Sequence, residues 1–94
     1  MTYELEFREE ALKEWQKLSP TLKQEFKSIL KRRLDNPRLP KHALRGMPDH
    51  YKIKLRSAGY RLVYRVEDAR VTIVVIAVGK RERGEVYDAA KKRD

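Results

Sequence analysis

Apolar and basic residues alternate without a break along Tyr51-Lys52-Ile53-Lys54-Leu55-Arg56. Successive side chains of a strand point to opposite faces, so this stretch predicts a strand with two unlike faces. Tyr51, Ile53 and Leu55 share the face that can join a core, and Lys52, Lys54 and Arg56 share the other. Residues 60–66 alternate in the same way, and Tyr3 to Phe7 predicts a short first strand. Residues 71–78 are apolar on both faces, as a central strand requires. Short links around Ser57-Ala58-Gly59 and Glu67-Asp68-Ala69 make both later connections hairpins. Between the first strand and the rest, the period changes to that of a helix. Ala11, Leu12, Trp15 and Leu18 predict a helix over 9–18. Ser19 as N-cap and Pro20 at N1 start a second helix, whose stripe is Leu22, Phe26, Ile29, Leu30 and Leu34. Asp35-Asn36-Pro37 ends it. Residues 37–50 read as a loop and 83–92 as a short terminal helix. The order is βααβββα, an α+β domain over residues 1–94. A two-helix hairpin packs on a small, mostly antiparallel sheet, with Trp15, Phe26 and Tyr64 as core.

Composition sharpens this picture in two ways. The 94 residues contain no cysteine, which excludes a disulfide framework and thiolate chemistry. The N-terminus lacks an apolar signal region and the longest apolar run, Ile73 to Val78, is too short to span a bilayer. The expectation is a cytoplasmic protein with no membrane association.

Charge is more informative. The net charge is +9, but residues 1–37 contribute only +1 and residues 38–65 contribute +7, with Asp49 as the lone acid there. Stacked like charges repel, so a fold gains nothing from such a segment, whereas a polyanion does. Pairing the strand 51–56 with 60–66 puts Lys52, Lys54, Arg61 and Arg65 on one face. Lys80-Arg81 emerge from the end of the central strand, and Tyr87 lies one or two helical turns further on. Basic groups hold phosphates, and an aromatic ring can stack a base.

Leu44-Arg45-Gly46-Met47-Pro48, Tyr51 to Arg56, Gly59-Tyr60-Arg61-Leu62-Val63-Tyr64, and Val78-Gly79-Lys80-Arg81-Glu82-Arg83 with Tyr87 resemble the RelE family of toxins from toxin–antitoxin pairs. Ala11 to Leu18 resembles it too, so the likeness covers almost the whole chain. The resemblance implies an endoribonuclease that enters the ribosomal A site and cuts mRNA there. Attack by the neighbouring 2′-hydroxyl would leave a 2′,3′-cyclic phosphate, with no metal or other cofactor. Lys52, Lys54, Arg61, Arg81 and Tyr87 are the implied catalytic set. Arg45, Arg65, Arg83 and the cluster Lys31, Arg32 and Arg33 are candidates for contact with RNA, including 16S rRNA of the 70S ribosome.

Lysine can act as a base only when neutral. Two lysines at about 6.6 Å repel by about 2.5 kcal/mol at an effective dielectric near 20, which lowers a pKa by nearly two units. A bound phosphate opposes that shift, so which lysine takes the 2′-hydroxyl proton stays open. Arg61 would hold the phosphate bidentately. Arg81 would stabilise the leaving oxygen, because a guanidinium hardly deprotonates. Tyr87 would stack on or orient a base. His42 and His50 read as non-catalytic. Arg61 has a simpler alternative, pairing with Asp49 or Glu67. Two other functions are alternatives: a non-catalytic nucleic-acid-binding inhibitor of translation that uses the same patch, and a ParE-like gyrase poison, which shares the fold family but is disfavoured because Lys52, Lys54, Arg61, Arg81 and Tyr87 resemble the ribonuclease branch. A RelE-like toxin also implies a RelB-like antitoxin, with the toxin alone a monomer and the pair a hetero-oligomer.

Overall fold

Ser19 accepts a hydrogen bond from the Leu22 amide at 3.2 Å and Pro20 occupies the first helical position, so the longer helix starts where capping chemistry places it. The computed structural model describes residues 2–56, 58–80 and 84–93. Strand β1 (Glu4–Phe7) leads into helix α1 (Glu9–Gln16) and helix α2 (Pro20–Asp35). A single turn of 3₁₀ helix, Pro40–His42, precedes β2 (His50–Leu55), β3 (Tyr60–Glu67) and β4 (Thr72–Lys80), and α3 (Glu85–Arg93) follows. The expected order βααβββα is therefore the observed one. The loop 37–50 is more ordered than its Pro and Gly content implies, because Ala43 bridges Tyr51 and Leu44 N–H donates to the His50 carbonyl.

The sheet runs β1-β4-β3-β2, with β1 parallel to β4 and the other pairs antiparallel. The doubly apolar strand β4 is interior, and the half-basic strand β2 is an edge. Each face carries its own core. Helices α1 and α2 cover one face with Ala11, Trp15, Phe26 and Leu30 against Ile53, Leu62, Tyr64, Ile73 and Val75. Helix α3 covers the other through Val86 and Ala90 against Val63, Val74, Ile76 and Ala77. A bulge makes the second core possible. Val63 pairs with Ala77 and Tyr64 with Val75, so Ile76 is the extra residue. Consecutive Ile76 and Ala77 both reach the α3 side, where strict alternation would send one away.

Leu12 departs from its predicted place in the core, at 40 % exposure. Its helix is only two turns long and turns Ala11 and Trp15 inward, which leaves Leu12 at the margin of the stripe. No helix among the described residues is long and apolar enough to cross a membrane.

Candidate nucleic-acid cleavage site

The register of β2 on β3 decides the site. Lys54 lies directly across from Arg61, and Lys52 across from Val63. Directly opposed residues share a face, so Lys52, Lys54 and Arg61 stand together on the α3 side of the sheet. Gly79 of β4 is the next residue across from Arg61. Helix α3 packs over this same face, and Tyr87 sits half-buried against the cluster that contains Val63, the partner of Lys52. Packing and site-facing roles are compatible for this ring, since only part of it is covered.

Arg61 is buried to 7 % exposure, and its Nη1 donates to the Tyr60 carbonyl at 3.0 Å. The simpler alternative for it does not hold. Asp49 pairs with Arg38 at 2.9 Å, and Glu67 pairs with Arg65 and Arg70. Arg61 has no carboxylate partner among the described residues. A poorly solvated guanidinium without a counter-ion is suited to receive an anion.

The other expected RNA contacts are dispersed. Arg65 shares the face of Arg61, but it lies across from His50 at the opposite end of the hairpin, where it is held by Glu67. Arg45 is exposed in the turn before Met47. Arg81 and Arg83 lie outside the described residues. Lys31, Arg32 and Arg33 do not form one surface, because consecutive helical residues point about 100° apart. Lys31 lines an apolar hollow with Leu5, Phe7, Trp15 and Leu30, and Arg32 is exposed. Arg33 is buried, with Nη1 donating to the Tyr64 hydroxyl at 2.9 Å and to the Lys52 carbonyl at 3.3 Å. It braces the strand that carries the lysines. Nothing in the bare charge pattern separates this inward arginine from its neighbours, although its place beside the end of an apolar stripe is a signal that it faces the sheet.

His50 is buried, with Nδ1 2.8 Å from the Pro48 carbonyl. His42 sits at the outer edge of β2, beside Arg33, Lys41, Lys52 and Lys54. Burial pushes its pKa down, and the charges of Arg33, Lys41, Lys52 and Lys54 push it the same way. The imidazole thus registers the cationic field along this edge. Among the described residues no group of three or more His, Cys, Asp or Glu is placed to hold a metal ion.

Known proteins resemble this chain over nearly its whole length. The family described as "ParE toxin of type II toxin-antitoxin system, parDE" matches residues 5–84. The chain is 58 % identical to the protein named mRNA interferase toxin RelE of Escherichia coli K12, over 99 % of this chain and 98 % of that one. It is 55 % identical to a protein of E. coli named "Putative RelE-like toxin protein", with the same coverage. A free-state structure of an E. coli RelE double variant superposes with a TM-score of 0.92 at 56 % identity, covering 99 % of this chain and 98 % of that one. The toxin in the intact E. coli RelBE toxin–antitoxin complex gives 0.83 at 57 % identity, covering 86 % and 99 %.

Proposed function

We propose that this chain, which belongs to the RelE/ParE family of type II toxin–antitoxin toxins, is an endoribonuclease that cuts mRNA in the ribosomal A site. The observation that carries the reading is the register of Lys54 against Arg61 with Lys52 on the same face. Three cations converge there, Arg61 has no acid among the described residues to neutralise it, and a half-buried tyrosine sits on the covering helix.

The chemistry follows from these groups. Lys52 or Lys54, in its neutral form, takes the proton of a 2′-hydroxyl. The oxygen attacks the adjacent phosphorus and the bond to the 5′-oxygen breaks, and that oxygen takes a proton from water, leaving a 2′,3′-cyclic phosphate and a 5′-hydroxyl. The second lysine and Arg61 stabilise the charge that grows on the phosphorane. Arg81 stabilises the departing oxygen, and Tyr87 orients a base at the cut. This acid–base set is weak, so rate must come largely from alignment of the RNA, which a programmed ribosome supplies. The protein works in the cytoplasm and is neutralised by a RelB-like antitoxin, the kind of partner seen in the E. coli RelBE complex.

The test is primer extension on an mRNA under translation with purified protein, with analysis of the new 3′ end. Cuts ending in a cyclic phosphate are expected. Lys52→Ala, Lys54→Ala and Arg61→Ala should each lower the rate by about 10²–10⁴-fold, the range for loss of proton transfer or charge stabilisation. Wild-type rates in all three variants would contradict the reading. Translational arrest by the variants, with no RNA cut, would favour a non-catalytic inhibitor.

A further inference from the structure

The cations of β2 do not end at the cleavage face. A hollow of about 320 Å³ lies over the outer edge of the strand, between α2 and the Pro40–His42 turn. Its lining includes Arg33, Lys41, His42, Lys52, Lys54 and Arg56, and no Asp or Glu among the described residues. A second hollow of about 420 Å³ shares Ile29, Arg33, Lys41 and His42 with it and continues to Arg32 and Asn36, again without an acid among the described residues. The two form one basic groove along the C-terminal half of α2.

Three of these cations are not neutralised by a carboxylate among the described residues. Arg38 shows what a structural cation of the same segment looks like, since it pairs with both Asp49 and Asp68. Lys41, Lys52 and Arg56 have no carboxylate partner among the described residues. Among the described residues the apolar side chains of the first hollow are Ile29 and Ile53, too few for the face of a partner helix to bury.

We propose that this groove binds backbone phosphate of the RNA strand flanking the cut, with Lys41 and His42 as its own ligands and Arg33 as its fixed floor. The inference rests on the cleavage reading, because the groove opens onto Lys52 and Lys54. A strand held on the cleavage face can therefore continue over the edge of β2. Arg33 is anchored by Tyr64 and the Lys52 carbonyl, so it contributes charge and shape without reaching out. His42 has a different part. Burial first, and then the cations around it, disfavour the charged form of its ring in the empty groove. A phosphate arriving among Arg33, Lys41, Lys52, Lys54 and Arg56 offsets their charge and pulls the imidazole pKa up.

The experiment is binding of a short 2′-O-methyl RNA, which lacks the attacking hydroxyl, to wild type, Lys52→Ala and the double variant Lys41→Ala/His42→Ala. Affinity is measured against salt. The double variant should bind about tenfold more weakly, with a salt slope shallower by about 0.7 for each phosphate it no longer neutralises. If Lys52→Ala weakens binding and the double variant does not, the groove is not a phosphate site while the cleavage reading stands. If neither weakens it, both fail. A double variant that loses affinity only for the antitoxin overturns the proposal in favour of an acidic protein partner. Imidazole NMR of the wild type gives an independent check, since the His42 pKa must rise when the oligonucleotide is added. An unchanged His42 titration overturns the proposal.

Discussion

Arg33 of α2 donates from Nη1 to the main-chain carbonyl of Lys52, at 3.3 Å, so a buried helix residue holds the strand that carries Lys52 and Lys54. The same nitrogen reaches the Tyr64 hydroxyl at 2.9 Å, and that hydroxyl donates to the Pro37 carbonyl at 2.7 Å. Helix, loop and edge strand meet at one tyrosine. Tyr64→Phe removes this hydroxyl and leaves the Pro37 carbonyl unsatisfied, while Arg33 is left with only its longer hydrogen bond. The expected loss is about 1–3 kcal/mol. Urea unfolding should show a lower midpoint with an unchanged slope. An unchanged midpoint would mean that the network holds nothing.

Gly79 couples packing to the site in a second way. A Cβ added there would meet Val86 Cγ2 at 3.1 Å. Val86 anchors α3, and Tyr87 is the next residue. Gly79→Ala should push the helix outward by a few tenths of an ångström and cost about 1 kcal/mol by overpacking. Cleavage should fall further than stability suggests, by about tenfold, because alignment is sensitive to small displacements. Comparison of thermal melts with cleavage rates separates the two effects.

The end of α3 is tied down by Arg93. Its Nη1 reaches Glu14 Oε1 at 2.7 Å and the Ile76 carbonyl at 3.1 Å, and its Nη2 reaches Glu14 Oε2 at 3.1 Å. Glu14 Oε1 also accepts from the Val78 amide at 3.1 Å. Arg93→Ala should cost about 1–2 kcal/mol, between a surface pair and a buried one. Hydrogen exchange should quicken first in α3. Protection there equal to wild type would contradict this anchoring role.

Two kinds of group make stability fall with acid. His42 titrates below its ordinary value of 6.5, mainly through burial and then through its cationic neighbours. The unfolded chain therefore takes up this proton first, and stability declines as pH drops below 6.5 toward the folded value. Glu67 is held below 4.5 mainly by Arg65. Asp68 is held below 3.8 mainly by the Tyr3 hydroxyl and then by Arg38. Their stabilisation is present above these values and is lost as pH falls through the depressed ones. His42→Asn should flatten the upper window alone, and Glu67→Gln should reduce the lower one. Melting temperatures between about pH 7 and 3 resolve both windows.

Much of the architecture was legible because it is periodic. Alternation places Tyr51, Ile53 and Leu55 in the core and Lys52 and Lys54 opposite, and Ser19-Pro20 marks the helix start. The pairing of Lys54 with Arg61 follows from a hairpin whose core faces must coincide. Other features have no local signature. The bulge at Ile76 depends on which face α3 covers, and the inward turn of Arg33 depends on Tyr64 and the Lys52 carbonyl, both distant in the chain. His42 reads as an ordinary loop residue until the turn around it is folded against β2. Leu12 fits a helical stripe by spacing alone, but it points about 100° away from Ala11 and stays exposed once Ala11 and Trp15 face the sheet.

If the Lys52, Lys54 and Arg61 face cuts mRNA whose geometry the ribosome supplies, cleavage depends on the ribosome. The most direct measurement is cleavage of one mRNA by purified protein with and without programmed ribosomes, followed at the same salt and protein concentration. Discrete cuts within the A-site codon are expected when ribosomes are present, and almost none on naked RNA. Equal, rapid cleavage of the free RNA, or no cleavage under either condition, would contradict it.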